Sequence, residues 1–296
     1  MKILFLRTLL LLCAIFVVTI FQPQQGKAEL FSQEKNSSKK LYQLNIPEID
    51  SLIKDISRTH STTKEKIAVY SRLALGTLYV HGCLGEGLKG KYDQDSPIDF
   101  SRVDCMTFCE QILALAISKN YNDTFNNLQK IRYHNGNISF TTRNHFVMAD
   151  WLPHNQWLLR NITEEKGGTL CRDMVKTIDR RKFAGSFGCY DTKSFPPPQR
   201  ISIKYIPKKY LLTISGKLKG GEIIVLITTR DGIFASHLGF IIQNKDGSLI
   251  FRHASLTHKK VIDEPYDLLC KRLQNEQHIA GSVFIEVLGQ LNYKIQ

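Results

Sequence analysis

The hydrophobic pattern of the chain changes near residue 200, and this change limits the folds that the chain can adopt. Before it, apolar residues recur at helical spacing in three stretches: PEIDSLIKDI (47–56), TTKEKIAVYSRLALG (62–76) and DTFNNLQKIRY (123–133). After it, turn residues separate short apolar runs: GEIIVLITT (221–229), HLGFIIQ (237–243), SLIFRHAS (248–255) and SVFIEVLG (282–289). Helices followed by strands predict an α+β fold with an antiparallel sheet packed on helices. We expect a helical half over about 46–200, irregular from 160 onward, and a strand-rich half over about 201–290.

The first 28 residues have the pattern of a secretory signal peptide. Lys2 and Arg7 provide a charged start, an apolar run covers 9–21, and Gly26-Lys27-Ala28 resembles a cleavage site. An uncleaved membrane anchor is the alternative, although this run is short for a span. We therefore predict a signal peptide at 1–28, a polar leader at 29–45 and a single domain at 46–296. The mature protein is expected to be periplasmic or secreted, without a stable membrane span.

The chain is strongly basic. Its formal net charge is +13, and removal of the signal peptide would leave it near +10. Such a surface attracts polyanions, which for an exported protein means an anionic cell-wall polymer or a membrane surface. Solvated lysines and arginines without any polyanionic partner explain the charge equally well. The sequence has no zinc finger, basic zipper or aromatic RNA-binding motif, so nucleic acid is not predicted as a partner.

Six cysteines follow the predicted signal peptide, but a chain of this length can bury a core without disulfides. The pairing of Cys83, Cys171, Cys189 and Cys270 stays open, although Cys171 and Cys189 bracket a glycine-containing stretch and could be joined.

The stretch VDCMTFCE (103–110) places two cysteines four positions apart at the start of an apolar helix. A zinc site would need about four ligands, and no second cysteine pair or His-Glu-x-x-His motif is present. A redox pair would have two intervening residues instead of three. No metal site is therefore predicted, and the remaining interpretation is that one of the two cysteines is a nucleophile. Asp104 can cap the helix, which puts Cys105 in the first turn, where a lowered thiol pKa is expected. Cys109 is expected to be a buried apolar residue.

A thiol nucleophile needs a base and a group that orients the base. His237 opens one predicted strand and His253 closes the next, and the turn at Asp246-Gly247 makes the two strands a hairpin. The two histidines can therefore be neighbours. A cysteine at a helix start followed by histidines on adjacent strands is a papain-like arrangement of catalytic parts.

The motifs DCMTFCEQILALA, KIRYHNG, RNHFVMADWLPHN, GGEIIVL, SHLGFII and FRHAS resemble, in order and spacing, those of the N-acetylmuramoyl-L-alanine amidase-like family. This family is a branch of the NlpC-type papain-like cell-wall hydrolases, and the resemblance runs from about residue 73 to 286. It implies that Cys105 is the nucleophile, His237 the base and His253 the third catalytic residue. It also implies that Asp104, Arg143, His145 and Trp151 line the substrate cleft.

The resemblance implies a monomeric hydrolase of peptidoglycan or muropeptides that cleaves the amide between N-acetylmuramic acid and L-alanine and needs no metal or organic cofactor. Three departures from the family pattern are Glu222 after glycine in place of Asp, Phe146 in place of a hydroxylated aromatic residue, and Cys109 in place of a small aliphatic residue. Three alternatives stay open: an endopeptidase that cleaves between D-glutamate and the diamino acid, a non-catalytic wall-binding module, and a thiol acyltransferase acting on lipids.

Overall fold

The structure is a computed structural model that describes residues 39–190 and 192–289, so the predicted signal peptide at 1–28 and most of the predicted leader lie outside the described residues. The α-helices of this part are α1 (Ile46–Thr59), α2 (Thr63–Leu73), α3 (Cys105–Ile117), α4 (Tyr121–Arg132), α5 (Leu152–His154), α6 (Thr163–Gly167), α7 (Arg180–Gly185) and α8 (Tyr266–Asn275). A short π-helix, Val147–Trp151, precedes α5. Short 3-10 helices cover Leu41–Gln43, His134–Gly136, Gly168–Leu170, Thr192–Ser194, Lys208–Tyr210 and Ser215–Lys217.

One large, mostly antiparallel sheet runs through the fold. Its strands are β1 (Leu78–Tyr79), β2 (Arg102–Val103), β3 (Leu159–Asn161), β4 (Arg172–Ile178), β5 (Gln199–Pro207), β6 (Ile223–Thr228), β7 (Ala235–Gln243), β8 (Leu249–Ser255), β9 (Lys260–Pro265) and β10 (Ile279–Val287). The strand order is β2-β1-β9-β8-β7-β6-β10-β5-β4, and β3 pairs with β10 beside this path. Only β1 and β2 pair in parallel among these strands. The prediction of an α+β fold is confirmed, with a large sheet and several helices.

The helix starts follow local capping chemistry. The side chain of Asn45 accepts the Glu48 N–H at the start of α1, and Thr62 accepts the Glu65 N–H at the start of α2. Each glutamate bonds back to the cap residue's own N–H, so two otherwise unsatisfied donors are paired at each end. Just before α1, Leu41 is buried against the core. The folded part of the chain therefore begins before residue 46, within the stretch predicted to be a loose leader.

The prediction of a helical half ending near residue 200, irregular from 160 onward, is wrong. Strand β4 lies inside that range and pairs with β5 over seven consecutive residue pairs, from Arg172↔Tyr205 to Ile178↔Gln199. Most side chains of β4 are exposed, so its sequence RDMVKTI lacks the alternation of apolar and polar residues that marks a half-buried strand. The sequence did not predict strand β9 either, because its residues KVIDEP include several charges and lie in a segment typical of a polar insert.

Helices cover both faces of the sheet. Leu238 and Phe240 of β7 face α3, and the rings of Phe108 and Phe240 meet edge to face with centroids 5.8 Å apart. The alternate residues of the strands, such as Phe251 of β8, pack with Leu269 of α8 on the opposite face. This alternation follows from the two-residue period of a strand. No helix within 39–190 and 192–289 is both long and apolar enough to cross a bilayer.

Candidate active site

Cys105 is the first residue of α3, and the residue before it caps the helix as predicted. One oxygen of the Asp104 carboxylate, Oδ1, accepts the Thr107 backbone N–H at 2.7 Å and the Thr107 hydroxyl at 2.9 Å. The other, Oδ2, accepts the Gly82 N–H at 3.0 Å. These bonds fix the helix start and tie it to the loop that follows β1. They also occupy both oxygens of Asp104, which is buried.

The thiol of Cys105 is half-buried and lies against backbone donors. The N–H groups of Leu238, Met106 and Cys105 itself approach the sulfur and lower its pKa. Two opposing effects are larger: burial, followed by the nearby Asp104 carboxylate, raises the pKa of the thiol to about 12. The expectation of a lowered pKa at this helix start is therefore wrong. Desolvation and the capping carboxylate outweigh the helix dipole, so the Cys105 side chain is a neutral thiol.

The two histidines meet as the hairpin predicts. His237 Nε2 lies 2.7 Å from His253 Nδ1, and the two rings stand nearly perpendicular. Strands β7 and β8 pair from Phe240↔Arg252 to the turn. Gly239 permits the close approach, because a Cβ there would lie 2.7 Å from the His253 Cβ and 2.6 Å from the Arg252 carbonyl oxygen.

The imidazole of His237 is neutral. Burial, followed by the neighbouring His253, lowers its pKa to about 3. The backbone N–H of Leu238 lies at the Cys105 sulfur, and His237 is the residue directly before Leu238 in β7. Among the hydrogen bonds of the described residues, none joins the Cys105 sulfur to the His237 ring. The Cys105 thiol, on α3, therefore lies beside β7 close to His237 without a hydrogen bond to that ring. Hydrogen bonds of this kind often tighten only when substrate binds.

Two further residues, Glu264 and Arg272, continue from the histidine pair on the far side of His253, and the sequence alone did not indicate them. Glu264 of β9 places Oε2 at 3.6 Å from His253 Nε2, and its carboxylate receives two hydrogen bonds from Arg272 of α8, at 2.8 and 2.9 Å. Burial of Glu264 favours a raised pKa, but the hydrogen bonds from Arg272, together with the nearby His253 ring, outweigh burial and lower it to about 2. The sequence signal for this pair is the spacing of Glu264 and Arg272, which lie on either side of the β9–α8 junction. That spacing has a meaning only if the segment with Glu264 is recognised as a strand.

Arg143, one of the predicted cleft residues, is engaged inside the protein. It forms ion pairs with Glu86 and with Asp93, the latter at 2.9 Å, and its side chain is mostly buried. These pairs hold together the loop between β1 and β2 and the segment before the π-helix. Because two carboxylates already neutralise the guanidinium, Arg143 shapes this region instead of presenting a free cation.

His145 and Trp151 differ from the expectation in the same way. His145 Nε2 lies 2.8 Å from the Phe140 carbonyl oxygen, its ring packs against Phe140 and Phe183, and burial lowers its pKa to about 3. Trp151 is fully buried in the core. A fully buried ring cannot stack on a sugar, so the prediction that Trp151 contacts substrate is wrong. His145 is a neutral side chain and offers no positive charge to a carboxylate.

Two cavities lie away from the thiol, and Cys105 lines neither. One, of about 500 Å³, lies beside Arg143, His145, His154 and Arg180. The other, of about 860 Å³, lies between α5 and the β4–β5 pair. Neither His237 nor His253 lines either cavity, so the cysteine and the histidine pair lie outside both.

The other cysteines of the described part carry free thiols. Cys189 belongs to a small apolar cluster with Phe140 and Phe195, whereas Cys171 packs on the cluster around α8. The suggested bridge between them is not formed. Cys109 is fully buried, as predicted, and burial raises the pKa of its thiol.

The described part is an α+β protein in which a cysteine at a helix start lies near a pair of histidines. Comparison with known families identifies the class: the profile of the N-acetylmuramoyl-L-alanine amidase-like family matches residues 69–276. The chain belongs to the N-acetylmuramoyl-L-alanine amidase-like family. The resemblance seen in the sequence is confirmed, and the cell wall is the substrate that such a family implies. No curated protein sequence matches the chain significantly.

Solved structures share the fold. A Legionella pneumophila protein of the DUF1460 family superposes with a TM-score of 0.70 at 25% identity, covering 82% of this chain and 97% of that one. An N-acetylmuramoyl-L-alanine amidase from Bacteroides uniformis gives a TM-score of 0.61 at 22% identity, covering 76% and 98%. A Bacteroides fragilis protein provisionally assigned as a xylanase gives 0.59 at 25% identity, covering 74% and 100%.

Proposed function

We propose that this protein is an exported cysteine hydrolase of peptidoglycan that cleaves the amide between N-acetylmuramic acid and the L-alanine of the stem peptide, on an NlpC-type papain-like core. The observation that carries the proposal is the 2.7 Å contact of His237 with His253 beside the helix-start thiol of Cys105. Membership of the amidase-like family supports the substrate class. Export rests on the sequence of residues 1–28, which lie outside the described part.

The first chemical step is acylation of the thiol. Because the Cys105 thiol and His237 are both neutral at rest, proton transfer accompanies the attack instead of preceding it. The thiol proton passes to Nδ1 of His237, since Nε2 of that ring faces His253. The sulfur bonds to the lactyl carbonyl carbon of N-acetylmuramic acid, and backbone N–H groups at the start of α3 stabilise the oxyanion.

The second half of the reaction releases both products. His237 returns its proton to the nitrogen of L-alanine as the carbon–nitrogen bond breaks, which leaves a thioester on Cys105 and frees the stem peptide. Water then gives a proton to His237 and attacks the thioester, the sulfur–carbon bond breaks, and the proton returns to the sulfur. His253 holds the His237 ring in one tautomer and one tilt throughout both halves.

The engagement of Asp104 favours this bond over the endopeptidase alternative. Recognition of a free L-alanine amine would need an available carboxylate next to the nucleophile. Both oxygens of Asp104 already accept hydrogen bonds, from Thr107 and from Gly82. An amidase needs no such acid, because its substrate carries a sugar on the N-terminal side of L-alanine.

A glycosidase activity, as the provisional name of the Bacteroides fragilis relative suggests, receives less support. Most glycoside hydrolases act through a pair of carboxylates that flank the scissile bond. At this site Asp104 is committed to backbone donors, and Glu264 is bonded to Arg272 behind His253. A thiol beside a pair of histidines suits acyl transfer instead.

The bond is tested by digestion of defined muropeptides with the wild-type protein and with Cys105→Ala, followed by mass analysis of the products. The proposal predicts an intact stem peptide that begins with L-alanine, together with a muramyl sugar that carries no peptide. An L-alanyl-D-glutamate fragment, free or still attached to the sugar, would instead establish the endopeptidase. The matched control is Cys109→Ala, which removes a buried thiol one helical turn away and should keep most of the activity.

A further inference from the structure

His253 is buried, and its two ring nitrogens face different partners. Its Nδ1 lies 2.7 Å from His237, whereas its Nε2 has no hydrogen-bond partner among the described residues within ordinary bonding distance. The carboxylate of Glu264 lies 3.6 Å from this nitrogen, on the neighbouring strand β9. The ring of Phe251 stacks on His253 at 4.5 Å and limits its rotation.

The proton positions on the two rings depend on one another. For His237 to receive a thiol proton at Nδ1, its Nε2 must carry hydrogen and donate to His253 Nδ1. A neutral His253 then carries its own hydrogen on Nε2, where a buried N–H group needs an acceptor. The Glu264 carboxylate is placed to be that acceptor after a movement of a few tenths of an ångström.

We propose that Glu264 is a positioning residue, which selects the Nε2–H tautomer of His253 and thereby the orientation of the base, and that Arg272 holds the Glu264 carboxylate in place. The order of the row is Cys105, His237, His253, Glu264, Arg272. The expected effect of Glu264 on kcat rests on the proposed function, whereas its effect on the tautomer of His253 does not require substrate.

The charges around His253 fit this assignment. The groups that face it are His237 from β7, Glu264 from β9 and, behind Glu264, Arg272 from α8. Arg272 also approaches Glu276 on its own helix, at 3.6 Å. Two hydrogen bonds from Arg272 keep Glu264 ionised, so that the carboxylate can accept a hydrogen bond but cannot donate one, which excludes the opposite tautomer of His253.

The test reads the tautomer directly. In full-length Cys105→Ala protein, long-range nitrogen–proton NMR spectra at neutral pH should show His253 with its hydrogen on Nε2. Glu264→Leu should turn this signal into a mixture of tautomers, and Glu264→Gln, whose amide oxygen can still accept, should restore most of it. Glu276→Leu is the matched control, because it removes a carboxylate from the same arginine without touching His253, and it should leave the spectrum unchanged.

The kinetic arm uses the same substitutions in protein with Cys105 intact. Glu264→Leu should lower kcat for muropeptide cleavage by about 10- to 100-fold with little change in KM, and Glu264→Gln should recover most of the loss. A melting curve for each variant confirms folding. An unchanged Nε2–H tautomer in folded Glu264→Leu protein, with kcat within about twofold of wild type, would overturn the positioning role. A shifted tautomer in a protein that cleaves no muropeptide would uphold positioning and reject the proposed function.

Discussion

His237 Nε2 lies 2.7 Å from His253 Nδ1, across two strands that the turn at Asp246-Gly247 joins. This distance leaves the other nitrogen of His237 as the proton acceptor for a nucleophile. The half-buried thiol of Cys105 lies against the N–H of Leu238, the next residue along the strand. One hairpin therefore carries the proposed base, its orienting partner and a contact to the proposed nucleophile.

Removal of the orienting ring should reduce turnover more than binding. We expect His253→Ala to lower kcat by a factor of about 10 to 1,000 and to disturb KM less, since orientation of the base matters mainly in the transition state. His253→Asn and His253→Gln should recover part of the loss, because either amide oxygen can accept from His237. The measurement is steady-state muropeptide cleavage. Full activity of His253→Ala would mean that another group, with His258 the first to test, orients the base.

The reactivity of Cys105 should depend steeply on pH. With the pKa of this thiol raised by burial and by Asp104, its thiolate is scarce at neutral pH. Alkylation of Cys105 by iodoacetamide, followed by peptide mapping, should accelerate about tenfold per pH unit between pH 6 and 9. The sequence alone predicts fast labelling below neutral pH. A rate that is already at its plateau at pH 6 would support that earlier expectation and a resting ion pair of Cys105 with His237.

His145 should make the fold sensitive to acid. Its pKa is about 3 in the folded protein because burial disfavours the charged ring, whereas an unfolded histidine titrates near 6.5. The unfolded state therefore binds the proton first, and stability that is present above pH 6.5 is lost as the pH falls toward 3. At pH 5 this loss is about 2 kcal/mol.

His145→Gln should lose less stability than the wild type between pH 6.5 and 5, because glutamine keeps a donor for the Phe140 carbonyl and does not titrate. The comparison is made by urea unfolding at both pH values. Because the pKa of His237 is also lowered, the stability of both proteins keeps some pH dependence from that residue. An identical pH dependence of the two proteins would show that His145 is not a buried neutral group.

A buried ion pair between α3 and α4 should matter for stability. Arg132 of α4 bonds Glu110 of α3 at 2.6 Å, and both side chains are almost fully buried. Arg132→Met leaves the buried Glu110 carboxyl without its partner, so we expect a loss of about 3 to 5 kcal/mol in the free energy of unfolding. Arg58→Met, which removes the exposed partner of Asp55, is the control and should have little effect. Equal effects of the two substitutions in denaturant titrations would contradict this account.

The sequence predicted the elements whose local signals are strong. The hydrophobic strands β6, β7, β8 and β10 and the capped helices α1 and α2 were all visible, because burial of one or both faces leaves a periodic pattern. Strands β4 and β9 were missed. Their stability comes from pairing with β5 and β8, which are contacts that no local pattern reveals.

The residues of the candidate site were likewise predictable only where local features place them. The positions of Cys105, Asp104 and the histidine pair follow from a helix start and a hairpin, both of which are local features. Arg143, His145 and Trp151 carry chemistry suited to binding, but whether such groups face solvent depends on tertiary packing. Here Glu86 and Asp93 neutralise the arginine, and the core covers the tryptophan. Glu264 became visible only when β9 brought it beside His253.

The central claim is that Cys105 is acylated by the muramyl group, and the most direct measurement is the mass of the covalent intermediate. Wild-type protein is mixed with excess muropeptide, quenched in acid within the first turnovers and mapped by mass spectrometry. Our account predicts a thioester on Cys105 that carries the N-acetylmuramyl acyl group and no amino acid. An adduct that retains L-alanine and D-glutamate, an adduct on any other residue, or continued hydrolysis by Cys105→Ala would contradict it.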